Sequence, residues 1–155
     1  MLDTHKKYLV VGLGLLGGKY ALELTKAGFH VDGINRSEGH LQYALEHGYI
    51  KTGKTHDFES LVAGADHIIF GLYTTALLEW FAAFGRFIKP GCIFTDVSGV
   101  KTGVVEPIQA QCPPGAEFIA SHPMAGRETS SVEHAASVDF AQANFIITPT
   151  DRNTR

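Results

Sequence analysis

The chain has 155 residues, a length that suits one globular domain and argues against two full ones. Its residues are 45% hydrophobic and 19% charged, so we expect a packed core and exclude a disordered chain. The formal charge of −3 comes without any block of like charges, which argues against nucleic acid or an anionic membrane as a partner.

Two further features of the sequence concern the compartment and metal binding. Residues 1–7 are polar and lack the apolar core of a signal peptide, and no apolar run approaches the roughly 20 residues of a membrane helix, so we expect a cytoplasmic protein. Cys92 and Cys112 form no CxxC motif and have no nearby histidine at zinc spacing. We therefore expect ordinary thiols in a reducing compartment and no metal site.

The first predicted elements form a strand, a glycine-rich turn, a helix and a second strand. The β-branched and apolar run at 8–11 predicts a buried strand, and 15–27 has helical periodicity. A second strand is predicted at 30–35, and Ser37 is a candidate N-cap for a helix that runs to about residue 47. The opening is therefore a βαβ unit, whose crossover we expect to be right-handed.

The alternation of strands and helices continues along the chain. Further strands are predicted at 50–52, 67–70, 92–95, 117–120 and 145–148. Further helices are predicted at 57–62, 75–87 and 101–111, with Pro107 expected to bend the last one or to lie in its first turn. This order predicts an α/β fold of the Rossmann type, with a doubly wound, mostly parallel sheet between two helical layers.

The turn after the first strand reads GLGLLG, a GxGxxG pattern. The pattern alone is a weak signal, but here it follows a predicted strand and opens a predicted helix. Gly12 would allow the tight turn, Gly14 the approach of a pyrophosphate, and Gly17 the close packing of helix on strand. The helix start would offer unpaired N–H groups and a partial positive charge to the phosphates. The candidate cofactor residues of this turn are Gly12, Leu13, Gly14, Leu15, Leu16 and Gly17.

The end of the second predicted strand should contact the ribose of the adenosine half. NAD sites usually carry Asp or Glu there, whereas this chain has Asn35, Arg36 and Ser37. Asparagine removes the repulsion of a 2′-phosphate, and an arginine and a serine add donors for it. We therefore favour NADP over NAD. Asp32 is the competing acid, but it lies three residues too early, within the strand.

Three later segments supply further candidate residues, because ligands of this architecture bind at the carboxyl ends of the strands. The segments after the fourth and fifth predicted strands supply five candidate cofactor residues: Gly71, Leu72, Tyr73, Asp96 and Val97. The sixth is followed by SHPMAGRE, in which His122 can face the cleft. An imidazole there suits the removal of a proton from a hydroxyl while hydride leaves the same carbon.

The motifs GLGLLGG at 12–18, TDVSGVK at 95–101 and SHPMAGRE at 121–128, with FIITPT at 145–150, resemble the nucleotide-binding domain of prephenate dehydrogenases. That family includes arogenate and cyclohexadienyl dehydrogenases. SHPMAGRE placed after TDVSGVK is the specific part of the resemblance, which spans essentially the whole chain.

The resemblance implies an oxidative decarboxylation of prephenate or arogenate in tyrosine biosynthesis, in which hydride passes to NAD(P)+ and no metal is needed. Together with Asn35, Arg36 and Ser37, it predicts an NADP(+)-dependent reaction. It implies that His122 is the catalytic histidine that polarises the C4 hydroxyl, and that Glu128 takes part in an ionic gate at the pocket mouth. The candidate substrate-binding residues are Ser98, Gly99, Arg127 and Glu128. Asp96 and Lys101 match recurring positions of their loop, and we interpret Asp96 as a structural residue first.

The sequence departs from the family pattern in two ways. Many members carry a serine where this chain has Gly99, and the neighbouring Ser98 is a candidate substitute for it. The family also has a C-terminal helical domain that forms homodimers and supplies cationic groups for the substrate carboxylates, and nothing in 1–155 corresponds to it. We therefore expect residues 1–155 alone to bind cofactor but to turn over substrate poorly.

Two other hypotheses remain open. A stand-alone module that senses NADP(H) without catalysis is favoured by Gly99 and disfavoured by His122 and Glu128. Another two-domain NADP oxidoreductase, such as a hydroxyacid or imine reductase, would share the glycine turn and the KPG…D pattern of 89–96, but not SHPMAGRE. The choice between prephenate and arogenate also remains open.

Overall fold

The computed structural model describes residues 3–154. The strands in this part of the chain are β1 Lys7–Val11, β2 His30–Ile34, β3 Thr52–Lys54, β4 His67–Phe70, β5 Ile93–Asp96, β6 Glu117–Phe118, β7 Ala120–Pro123 and β8 Phe145–Thr148. The α-helices are α1 Leu15–Lys26, α2 Glu38–Glu46, α3 Glu59–Gly64, α4 Thr74–Phe84 and α5 Val105–Gln111. Two 3₁₀ helices occupy Gly85–Phe87 and Val132–Ser137.

Six strands form one parallel sheet in the order β3-β2-β1-β4-β5-β6. The strand order reverses its direction between β1 and β4, which creates the switch point where ligands bind in open α/β sheets. The predicted Rossmann-type fold is thereby confirmed.

The core lies on both faces of this sheet. The central strand β1 is buried on both sides, with Leu9, Val10 and Val11 all close to zero exposure. One face packs aromatic residues of β4, β5 and β6 against α3, α4 and α5. The other face packs β1 and β2 against α1 and α2. These are the three layers that the alternating sequence predicted.

The last two strands depart from the parallel sheet. A strand was predicted at 117–120 with His122 in the loop behind it, whereas β6 ends at Phe118 and His122 lies within β7. Strand β7 pairs antiparallel with β8 in a second, two-stranded sheet, with His122 opposite Ile146. The chain leaves the main sheet after the bond from the Ile119 N–H to the Phe94 carbonyl, 2.9 Å.

Three predicted boundaries shift for local reasons. Strand β3 begins at Thr52 instead of residue 50, because Ile50 packs into the core outside the strand pairing. Helix α5 begins four residues later than predicted, after Gly103 at φ +74°, and Pro107 lies in its first turn. Helix α4 tightens into 3₁₀ geometry at Gly85.

Residues 3–154 contain neither a membrane-spanning helix nor a cluster of metal-ligating side chains. No helix there combines the length and the apolar character needed to cross a membrane. The same residues contain no group of three or more His, Cys, Asp or Glu side chains placed to hold a metal ion.

Candidate functional site

A cleft of about 710 Å³ lies at the carboxyl edge of the sheet, at the switch point between β1 and β4. The structure brings together here the predicted residues Gly14, Leu15, Leu16, Gly71, Leu72, Tyr73, Val97, Ser98, Gly99, His122, Arg127 and Glu128. The predicted residues that do not line it are Gly12, Leu13, Gly17, Asn35, Arg36, Ser37 and Asp96.

Three glycines form the floor behind the cleft. Gly12 has φ +91°, a conformation that side chains with a Cβ rarely adopt. A Cβ at Gly17 would lie 1.9 Å from the Gly12 carbonyl oxygen, and a Cβ at Gly71 would lie 2.5 Å from the same atom. Gly12 and Gly17 thus have steric roles, and the close approach of α1 to the ends of β1 and β4 requires all three glycines.

Gly14 differs from these three glycines, because it faces the open cleft. A Cβ built on Gly14 would meet no protein atom within 4 Å, so the space in front of its backbone is free for a ligand. Helix α1 begins immediately afterwards, has no acidic residue in its first turn and has no side-chain cap. The first N–H groups of α1, from Leu15 onward, are therefore available to an anion and carry the positive end of the helix dipole. These features fit the pyrophosphate of a dinucleotide.

Leu13 and Asn35 form a link between the glycine turn and the end of β2. The Leu13 side chain is fully buried, and its backbone N–H donates to Asn35 Oδ1 at 2.9 Å. The Asn35 side-chain amide donates to the Ser37 carbonyl at 3.0 Å. Asn35 therefore fixes the shape of the turn, a role that sequence reasoning did not assign to it.

The end of β2 presents a cation and no acid. Arg36 is exposed, and within residues 3–154 no carboxylate lies at salt-bridge distance from it. Ser37 caps α2 by accepting from the His40 N–H at 3.3 Å. The competing acid Asp32 is occupied elsewhere, since it bonds to His30 at 3.0 Å and to Thr52 at 2.7 Å.

Asp96 is the centre of a buried polar network behind the other end of the cleft. Its carboxylate has no solvent exposure and accepts from Lys101 Nζ at 2.6 and 2.7 Å. It also accepts from the Ser98 hydroxyl at 2.5 Å and from the Ser121 N–H at 3.2 Å. Lys101 in turn donates to the Ser121 carbonyl at 2.5 Å. Asp96 thus binds the loop after β5 to strand β7, and its oxygens are occupied by protein donors.

His122 stands next to that network and lines the cleft. Its Nδ1 lies 2.9 Å from the Val97 carbonyl oxygen, which can only accept a hydrogen bond, so Nδ1 carries the proton. Nε2 is then free to accept a proton from a ligand. Val97 is itself held by the bond from its N–H to the Phe70 carbonyl at 3.2 Å. The ring is therefore fixed in one tautomer by the backbone that follows β5, which is itself bonded to the carboxyl end of β4.

The loop residues Ser98 and Gly99 have different surroundings. The Ser98 hydroxyl lies within hydrogen-bonding distance of Asp96 and of the Val100 carbonyl, so its single hydrogen is engaged inside the loop. Gly99 faces the histidine, and a Cβ there would lie 3.4 Å from His122 Nε2. A side chain at position 99 would therefore contact the His122 ring.

The mouth of the cleft is formed by exposed side chains. Tyr73 is 86% exposed, and Arg127 and Glu128 are exposed as well. Sequence reasoning missed other lining residues: Thr74, Val100, His40, Gly126, Thr129, Ser130 and Ser131. For His40 the sequence did contain a signal, because it follows the predicted N-cap Ser37 by three residues. That spacing indicates a residue in the first turn of α2, at the carboxyl edge of the sheet. The sequence has no comparable signal for 129–131.

Comparisons with known proteins show the family of the chain. The family model described as "Prephenate dehydrogenase, nucleotide-binding domain" matches residues 20–155. A prephenate dehydrogenase of Bacillus subtilis is 34% identical over 146 residues, which cover 91% of this chain and 38% of that protein. The chain thus spans well under half the length of this curated relative.

Solved structures show the same fold. An arogenate dehydrogenase from Synechocystis superposes with a TM-score of 0.83 at 28% identity, over 94% of this chain and 50% of that one. A prephenate dehydrogenase from Aquifex aeolicus, in complex with hydroxyphenyl propionate and NAD+, gives a TM-score of 0.86 at 23% identity, over 99% and 53%. The family match covers most of the chain, so the chain belongs to the family of prephenate dehydrogenase nucleotide-binding domains.

Proposed function

We propose that this chain binds NADP(H) as the cofactor-holding part of an enzyme that oxidatively decarboxylates prephenate or arogenate. The observation that carries the proposal is His122, whose Nδ1–H is bonded to the Val97 carbonyl so that Nε2 is left for a substrate hydroxyl beside the nucleotide cleft. The family match and the relatives named as prephenate and arogenate dehydrogenases support the choice of substrate class.

The proposed reaction assigns one proton movement to the chain. A bound NADP+ supplies the acceptor for the hydride that leaves the substrate's C4 carbon. His122 Nε2 accepts the hydrogen bond of the C4 hydroxyl and takes up its proton as the C4–O bond gains double-bond character. Loss of CO2 delivers its electron pair to the ring, which becomes aromatic, and the proton returns to the oxygen to give the phenol.

The side chains at the end of β2 support the proposed preference for NADP. Asn35 is occupied by Leu13, Asp32 is occupied within the sheet, and Arg36 is exposed beside the start of α2. An exposed guanidinium that has no carboxylate at salt-bridge distance within residues 3–154 suits a 2′-phosphate of about two negative charges. By contrast, NAD sites usually place a carboxylate at this position to accept from the ribose 2′-hydroxyl.

Replacement of the histidine in the full-length protein that contains this chain tests the catalytic part. We expect His122→Asn to lower kcat by about 10²- to 10⁴-fold, the usual contribution of a general base, while NADPH binds within twofold of the wild-type affinity. His5→Asn is the matched control, because His5 is exposed and does not line the cleft. Unchanged kcat in His122→Asn would refute the assignment of the base.

A paired titration tests the cofactor part. We expect wild-type protein to bind NADPH more tightly than NADH, and Arg36→Ala to weaken NADPH by about tenfold or more, since charge-assisted hydrogen bonds to phosphate are among the strong ones. The affinity for NADH should stay the same. The proposed preference for NADP would be contradicted if wild-type protein bound NADPH and NADH equally well and if Arg36→Ala changed neither affinity.

A further inference from the structure

Residues 126–131 form a strap along the cleft. They follow the end of β7 at Pro123 and lead into the 3₁₀ helix Val132–Ser137, and all six residues line the cleft. The strap thus begins near His122 on the substrate side and ends beside α1 and α2 on the cofactor side. Neither the proposed reaction nor the phosphate site at α1 uses its far end, at Ser131.

The far end of the strap is held by Gly18, the last glycine of GLGLLGG. A Cβ at Gly18 would lie 3.0 Å from both Val132 Cγ2 and Ala135 Cβ, closer than ordinary contact. Val132 and Ala135 are themselves completely buried. The absence of a side chain at Gly18 therefore lets the 3₁₀ helix pack against α1, and this packing fixes the end of the strap next to the glycine turn.

Ser131, the last residue of the strap, is held in an unusual conformation. Its φ is +92°, in the region that residues with a Cβ rarely adopt, and such residues concentrate at functional sites. Its hydroxyl contacts the Glu133 carboxylate and lies 3.2 Å from His40 Nε2, 91 positions away in the sequence. Because the carboxylate takes the hydroxyl hydrogen, the serine oxygen accepts from His40 Nε2–H.

These contacts orient the His40 ring from behind. Nε2 is bonded to Ser131, whereas no described residue lies at hydrogen-bonding distance from Nδ1. His40 lines the cleft from the first turn of α2, three residues after the cap Ser37 and four after Arg36. The first N–H groups of α2 lie beside it and add the positive end of a second helix dipole.

We propose that His40 is, beside Arg36 of the preceding turn, a second residue that binds the 2′-phosphate of NADP(H), and that Ser131 is its positioning residue. This inference rests on the proposed function, and it specifies which side chains select NADP. The second pKa of such a phosphate is about 6. A phosphate and an imidazole can therefore form a hydrogen bond through one shared proton, whichever of the two carries that proton before binding. The exposed Glu38 lies in the same turn of α2. Its carboxylate is negatively charged and repels the phosphate.

Four probes test this inference with the chain intact: NADPH, NADH, 2′,5′-ADP and 5′-AMP. We expect His40→Ala to weaken NADPH and 2′,5′-ADP by about tenfold, the size of one charge-assisted hydrogen bond, and to leave NADH and 5′-AMP within twofold. His47→Ala at the other end of α2 is the matched control, since His47 is exposed and outside the cleft.

Ser131→Gly tests the positioning role without disturbing the backbone. Glycine tolerates a φ of +92°, so the variant should be at least as stable as wild type. Its NADPH-to-NADH affinity ratio should nevertheless fall about threefold, as expected when a bond that orients the ring is lost. A purely structural role for Ser131 would leave that ratio unchanged.

The outcomes separate this inference from the proposed function. Loss of NADPH affinity in Arg36→Ala but not in His40→Ala would overturn the role of His40 and leave the NADP preference standing. Equal losses for NADPH and NADH in His40→Ala would also overturn it. Wild-type protein that binds none of the four probes would instead refute the proposed function, and the inference with it.

Discussion

The two ends of the cleft are built by different kinds of interaction. At the glycine turn, the geometry depends on missing side chains, because backbone atoms of Gly12, Gly17 and Gly71 approach more closely than any Cβ permits. At the His122 end, the geometry depends on charge, because the buried pair of Asp96 and Lys101 connects the loop after β5 to strand β7.

This difference predicts different responses to mutation. Steric sites fail when an atom is added, and their cost follows the overlap that it creates. Buried charge pairs fail when one partner is removed, because the other charge remains in a medium that cannot solvate it. The two ends can therefore be disturbed separately, and each has its own control variant.

The largest effect is expected at the charge pair. Asp96→Ala leaves Lys101 without a counter-charge at a site where its side chain is only 17% exposed. We expect the free energy of unfolding to fall by about 3–5 kcal/mol, the usual cost of breaking a buried pair from one side. Guanidinium denaturation followed by circular dichroism measures this change.

A double variant separates the charge from the packing. In Asp96→Asn with Lys101→Met, both charges are gone, and asparagine can still accept the Ser121 N–H. We expect this variant to be more stable than Asp96→Ala, because no unpaired charge is left in the interior. If the double variant is the less stable of the two, the unpaired charge of Lys101 is not the cause of the stability loss in Asp96→Ala.

The next largest effect is expected at the glycine turn. Gly17→Ala places a Cβ 1.9 Å from the Gly12 carbonyl oxygen, so α1 must move away from the sheet. We expect a loss of about 1–3 kcal/mol of stability, typical of overpacking, together with loss of NADPH binding. Thermal denaturation and NADPH titration of the same samples measure both.

Gly14→Ala is the control for that experiment. Its Cβ would meet no protein atom within 4 Å, so the free energy of unfolding should change by less than about 0.5 kcal/mol. NADPH binding should still weaken by about tenfold, because the methyl group occupies space in front of the first amides of α1. Equal destabilisation by the two alanines would contradict the division between a packing glycine and a ligand-facing glycine.

The glycine-turn end was largely predictable from sequence because its determinants are local. The strand, turn and helix over 8–27 follow one another, and each has a periodicity or a glycine pattern of its own. The predictions of β4 at 67–70 and β8 at 145–148 were correct because both are apolar runs bounded by polar or turn residues.

The remaining features depend on contacts between distant residues. The link from Ser131 to His40 joins positions 91 apart, and no local pattern marks Ser131 as the partner of His40. The antiparallel pairing of β7 with β8 depends on where the chain leaves the main sheet, which short apolar strands do not reveal. Asn35 was predicted at the ribose because of its position, yet a distant N–H, that of Leu13, occupies its side-chain oxygen.

The smallest effect is expected far from both ends of the cleft, at the amino edge of the sheet. Asp66 accepts from the Lys7 N–H at 2.9 Å and pairs with Lys89 Nζ at 2.8 Å. The hydrogen bond from Lys89, followed by that from the Lys7 N–H, lowers the pKa of this carboxyl. A lowered pKa means that the stabilisation is present above the unfolded pKa of about 3.9 and is lost as the pH falls through the folded value.

In Asp66→Asn, the free energy of unfolding should therefore fall less steeply as the pH is lowered. At neutral pH it should be lower than that of the wild type by less than about 1 kcal/mol, as is usual for a partly exposed pair. Urea denaturation at pH 7 and at successively lower pH values measures both effects. Asp151→Asn is the control, because it removes an exposed carboxylate that has no ion pair among residues 3–154. It should leave the dependence of stability on pH in acid unchanged. NADPH affinity should be the same in both variants, because Asp66 lies at the edge of the sheet opposite the cleft. Weaker NADPH binding in Asp66→Asn would show that the two edges are coupled and that the cleft ends are not independent of the sheet beneath them.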